Sequence, residues 1–142
     1  MPDIYDQHRA AFANVSAYVI MRNGEKIATI AVKYPRDGAG RLWAYVHYFG
    51  TQMTRGYAGG YGYDKTTAAI ADAARRIKPI DNSALAADMK AEGNDHAASD
   101  VLAGDAAANA DLERFRAALE RGGGHNWDAS LRHAGCTVLQ AV

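Results

Sequence analysis

The chain has 142 residues and a mass of 15.2 kDa, with 49% hydrophobic and 23% charged residues and 16 Lys/Arg balanced by 16 Asp/Glu. That size suits one domain with its own core, and that composition excludes a disordered chain and one built around a membrane span. A single cysteine, Cys136, excludes an internal disulfide and a cysteine-rich zinc site and points to a reducing compartment.

The neutral total conceals a polarity. Residues 1–80 hold 11 Lys/Arg against 6 Asp/Glu, whereas residues 81–142 hold 5 against 10. Such a split predicts a basic and an acidic face, or two halves that neutralise each other across the fold. The opening MPDIYDQHRA carries acids and a histidine where a secretory signal needs a basic start and an apolar run, so the expected location is cytoplasmic, with no membrane partner.

Asp3 is placed to cap a short helix running to about Phe12, with Ile4, His8, Ala11 and Phe12 near one stripe. SAYVIMRNGEKIATIAVKY follows, and Asn23-Gly24 between two alternating runs predicts a hairpin with a two-residue turn. An uninterrupted register opposes Arg22 to Glu25, Met21 to Lys26, Ile20 to Ile27 and Val19 to Ala28, and puts Val15, Ala17, Val19, Met21, Ala28, Ile30 and Val32 on the core face. PRDGAG, residues 35–40, is a loop by composition. RLWAYVHYFG then reads as a third strand with Trp43, Tyr45, His47 and Phe49 on one face and Leu42, Ala44, Val46 and Tyr48 on the other, and TQMTR is a candidate continuation.

In RGYAGGYGYDKTTAAI, Gly56, Gly59, Gly60 and Gly62 permit tight turns and close backbone packing, and Asp64 is a suitable N-cap for a helix with Ile70, Ala73, Ala74 and Ile77 on its apolar stripe. Pro79 is expected to end it. Residues 81–111 predict short alanine-rich helices punctuated by Gly93 and Gly104. Asp111 opens a helix with the stripe Leu112, Phe115 and Leu119, ended by Gly122. A short helix over about Asn126 to His133 and a final strand in CTVLQAV complete the chain. The expected fold is a single α+β domain, an antiparallel sheet of about four strands with helices on one face, organised as an α-β-β-β-α unit over 1–78 and a helical extension with a final strand over 79–142.

The glycine stretch has the outline of a phosphate loop, but Asp64 precedes Lys65 where a Walker loop requires glycine, and Gly60-Tyr61-Gly62 lacks the third glycine of a dinucleotide fingerprint. Arg55, Tyr57, Tyr61, Tyr63 and Lys65 instead present basic groups and rigid aromatics, the make-up of a contact surface that would combine with the exposed aromatic face of the third strand. Arg75, Arg76 and Lys78 complement a helix C-terminus and form a candidate anion or nucleic-acid contact. His8, His47, His96, His125 and His133 show no metal-ligand spacing, so no metal or cofactor is expected. Cys136 begins an apolar strand and reads as a buried thiol.

The order of elements over residues 3–78, ending in GYDKTTAAIADAARRI, resembles a double-stranded-RNA-binding domain, which implies a nucleic-acid-binding module. That family's basic cluster at the helix start is reduced here to Lys65 beside Asp64. The short meander, RGYAGGYGYDK and the closing GCTVLQAV also resemble small proteins of prophages and mobile elements, among them anti-CRISPRs. This resemblance implies a non-enzymatic inhibitor that blocks a surface of a host protein or ribonucleoprotein complex. The candidate partners are such a complex, nucleic acid, or a second copy of the chain in a homodimer. A third reading is a small hydrolase-like enzyme using His125 and His133, with Asp128 in reach.

Overall fold

A computed structural model describes residues 15–34, 41–60, 62–120 and 126–141. The helix expected over 3–12, the PRDGAG loop, Tyr61 and His125 lie outside the described residues. β1 (Val15–Arg22) and β2 (Glu25–Lys33) form the expected hairpin, with Asn23 at φ 52° and Gly24 at φ 79° in the turn. The first two pairs, Arg22 with Glu25 and Met21 with Lys26, are those predicted. The register then shifts at Ile20/Met21, so that Ile20 opposes Ala28, Val19 opposes Thr29 and Tyr18 opposes Ile30.

That bulge corrects the predicted core face of β1. One extra residue in β2, Ile27, moves every side chain of β1 beyond Met21 to the opposite face relative to an unbroken ladder. Ile20 is fully buried with Ala28, Ile30 and Val32 in the core, and Tyr18 packs against them; Val19 and Met21, which the simple register would place there, remain half-buried on the other face.

β3 (Arg41–Tyr48) pairs with β2 and keeps both predicted faces, with Leu42, Ala44, Val46 and Tyr48 buried. The glycine stretch holds a further strand, β4 (Thr54–Gly59), antiparallel to β3. β5 (Thr137–Gln140) adds to the free side of β1, giving a five-stranded antiparallel sheet in the order β4-β3-β2-β1-β5. The described residues thus form one α+β domain with one strand more than expected.

Four helices are present among the described residues: α1 (Tyr63–Arg75), α2 (Ser83–Ala91), α3 (Asp95–Glu120) and α4 (Trp127–His133). They bury Ile70, Ala73, Ala74, Leu112, Phe115, Leu119, Trp127 and Leu131 against the inner sheet face, the first six on the stripes that the helical periodicity predicts. The N-cap of α1 is Gly62, at φ 130° and with no side-chain cap, while Asp64 sits two residues on, in the first turn, where its charge favours the helix dipole. The helix ends at Arg75 with Arg76 as C-cap, before Pro79 is reached.

Gly104 does not interrupt α3. A single glycine costs a helix interior only about 1 kcal/mol, and two polar clamps hold residues 80–82 to this helix. Asn109 accepts from the Ile80 N–H at 2.7 Å and donates to the Ile80 carbonyl at 2.8 Å. Asp105, one turn earlier, accepts from the Asn82 backbone N–H at 2.6 Å and from the Asn82 side chain at 2.7 Å. No helix among the described residues is long and apolar enough to cross a membrane.

Candidate functional site

Gly56 decides how β4 and α1 meet. A Cβ built there would stand 2.3 Å from both the Ala69 carbonyl oxygen and the Ala73 nitrogen, so only glycine lets the helix backbone rest on the strand. Thr54 Oγ1 donates to the Ala73 carbonyl at 2.8 Å beside this contact, and the Tyr57 N–H donates to Asp72 Oδ2 at 3.2 Å. The helix therefore covers part of the outer edge of β4, an edge otherwise open to another strand.

With Gly56 and Ala58 turned inward, Arg55 and Tyr57 point to the outer sheet face. There they pair with Tyr45 and Trp43 of β3, and Trp43 pairs in turn with Lys33 of β2. The rings of Trp43 and Tyr57 lie 5.3 Å apart. The Arg55 guanidinium sits 4.7 Å from the Trp43 ring centre, and Arg41 sits 4.9 Å from that of Tyr57. The four planar groups form a ladder in the order Arg41, Tyr57, Trp43, Arg55. Tyr57 is 45% exposed, and both arginines are exposed. Farther along β3, His47 lies 5.4 Å from Phe49, which is also exposed.

The charge on this face is one-sided. The described strands carry Arg22, Lys26, Lys33, Arg41 and Arg55 but only one acid, Glu25, at the hairpin end. Arg22 turns inward and pairs with Asp111 of α3 at 3.5 Å. Among the described residues neither Arg41 nor Arg55 makes an ion pair. Burial first, and then repulsion from Arg55, hold the Lys33 pKa below the usual lysine value; the pairing of Lys33 with Trp43 adds a third basic side chain to the two arginines around Trp43 and Tyr57. The chain's acidic second half sits in the helical layer, so the polarity of the sequence becomes a polarity between the sheet and the helices.

The predicted contact set divides. Arg55 and Tyr57 join the aromatic face of β3, as a continuous surface requires. Tyr63 and Lys65 instead belong to the first turn of α1, and the Tyr63 hydroxyl donates to Asp128 Oδ1 of α4 at 3.1 Å. Asp128 also accepts from Arg132 at 2.8 Å. Burial alone would raise the Asp128 pKa, but the bonds from Arg132 and Tyr63 outweigh it and hold the carboxyl below its usual range. The Tyr63 pKa is raised, by burial and then by the Asp128 charge.

Arg75 and Arg76 both lean on Asp72, at 3.2 and 3.4 Å, and Arg76 and Lys78 border a cleft of about 390 Å³ with Thr51, Gln52 and Asp81. His133 lines a separate groove of about 930 Å³ between α3 and α4, beside Glu113 and Arg114. Burial pushes the Cys136 thiol up, as an inert core cysteine requires. No group of three or more His, Cys, Asp or Glu side chains able to hold a metal occurs among the described residues.

The contact surface read from the sequence, which joined the tyrosine stretch to the aromatic face of the third strand, omitted Arg41 and Lys33. The alternation of RLWAYVHY already places Arg41 beside Trp43, but joining them to Tyr57 and Lys33 requires the ladders on both sides of β3. No protein-family model, curated protein or solved structure matches the chain.

Proposed function

We propose that the chain is a binding protein that acts by contact, using the outer face of β3 and β4 to cover a negatively charged surface of a partner macromolecule. The observation that carries this reading is the ladder of Arg41, Tyr57, Trp43 and Arg55, two exposed arginines with no carboxylate partner among the described residues, stacked on the ends of an aromatic pair. An arginine stacked on a ring keeps its N–H donors free for an anion, and the ring already orders it, so less side-chain freedom is lost on binding. Arg and aromatic residues are the side chains that most often dominate interfaces.

The resemblance to small prophage proteins suggests the setting: inhibition of a host defence complex of the CRISPR type by obstructing a surface that the complex uses. The test is affinity capture from host lysate with the wild type and with an Arg41→Glu/Arg55→Glu variant whose fold is verified by circular dichroism. Charge reversal is expected to abolish recovery of the partners. Equal recovery by the two proteins would refute this face as the contact surface.

A further inference from the structure

We infer that the partner of the β3–β4 face is single-stranded nucleic acid, with bases stacking on the Trp43–Tyr57 ladder and phosphates held by Arg41, Arg55 and Lys33. The inference rests on the reading of this face as a contact surface and names what it contacts. Each nucleotide of a single strand offers an anion and an unpaired aromatic plane. The ladder offers the complement of both within one patch: guanidinium groups at its ends and two rings between them, in steps of 4.9, 5.3 and 4.7 Å. Bases stack on aromatic rings and on guanidinium planes alike, while the edges of the same guanidinium reach phosphate.

The cross-strand geometry fits a strand laid across the sheet. Lys33, Trp43 and Tyr57 stand in one row over β2, β3 and β4, so a third cation flanks the aromatic pair. His47 and Phe49 extend the aromatic track along β3. An acidic protein segment would satisfy the arginines but bring no series of planar groups to stack on the exposed side of the aromatic pair. A duplex keeps its bases stacked internally and would meet only the cations.

Fluorescence anisotropy with labelled oligo(dT) and oligo(U), the corresponding duplexes and polyglutamate tests the inference on the full chain. The single strands are expected to bind at least about tenfold tighter than the duplexes. Tyr57→Ala and Trp43→Ala are each expected to weaken single-strand binding by about tenfold, with Trp43→Phe restoring more of it than Trp43→Leu. Arg41→Gln and Arg55→Gln should each lower the slope of log affinity against log salt by about 0.7.

Equal binding of duplex and single strand overturns the inference, as does unchanged affinity in Tyr57→Ala, a substitution at an exposed position that leaves the core intact. Polyglutamate binding without oligonucleotide binding overturns the inference and leaves the anion-binding contact surface standing. If neither probe binds at low salt, both the inference and the contact surface fall.

Discussion

Replacing Gly56 by alanine tests the packing that creates the outer face. The new Cβ would lie 2.3 Å from two backbone atoms of α1, Ala69 O and Ala73 N, and 2.9 Å from the Asp72 carbonyl carbon. Those contacts are about 1 Å too short, and their backbone atoms cannot rotate aside as a flexible side chain would. Either α1 or β4 must move by roughly that distance. Moving α1 stretches the 2.8 Å bond from Thr54 to the Ala73 carbonyl and loosens Ile70 and Ala73, which are fully buried in the core. Overpacking of this kind costs about 1–3 kcal/mol, occasionally more, and the strained hydrogen bond adds about 1. The expected loss is therefore about 2–4 kcal/mol, read as a drop in Tm of roughly 7–15 °C for a chain of this size. Gly59 supplies the control, since its Cβ would meet nothing within 4 Å. Urea and thermal unfolding of the two variants measure both values. A Gly56→Ala protein within about 1 kcal/mol of wild type, or one no less stable than Gly59→Ala, would refute the account of how β4 meets the helix.

Three further outcomes are expected. Gly104→Ala, in the exposed interior of α3 with open space around the new methyl, should raise stability by about 0.5–1 kcal/mol in urea unfolding. Ile20→Ala should cost about 2–5 kcal/mol and Val19→Ala under about 1, because the bulge puts the first in the core and the second on the outer face; equal losses by chemical denaturation would restore the unbroken register. Asp128, with a carboxyl pKa lowered in the fold, contributes stability that is present above the unfolded carboxylate value near pH 4 and is lost as pH falls through the lower folded value. Asp128→Asn should therefore be destabilising at pH 6, with the difference from wild type shrinking near pH 3, as followed by the urea midpoint.

How much of this the residues disclosed depends on whether a local pattern determines the outcome. The stripes Ile70/Ala73/Ala74/Ile77 and Leu112/Phe115/Leu119 and the alternation of β3 are periodic, and each is buried as its period dictates. The Asn23-Gly24 turn needed only its own conformational preference. The bulge was not legible, because the run from Ile27 to Val32 is apolar enough to satisfy either register, and helix packing on the inner face selects one. β4 was hidden by its glycines, which lower strand propensity and mask the alternation of Arg55 and Tyr57 outward with Gly56 and Ala58 inward; Gly56 serves a helix contact distant in sequence. The continuity of α3 through Gly104 depends on packing and on the Asp105 and Asn109 clamps to residues 80–82, none of which is local. Tyr57, Arg55 and the aromatic face of the third strand stood out in the sequence, but their union with Arg41 and Lys33 is a product of strand register.

The central claim, that the outer face of β3 and β4 is the contact surface, is tested most directly by 1H–15N correlation spectra of the labelled protein during titration with oligo(dT). The account predicts shifts concentrated on Lys33, Arg41, Trp43 with its indole N–H, Arg55 and Tyr57. Shifts gathered instead on Arg75, Arg76 and Lys78, or on the α3–α4 groove around His133, with the outer sheet face unmoved, would contradict it.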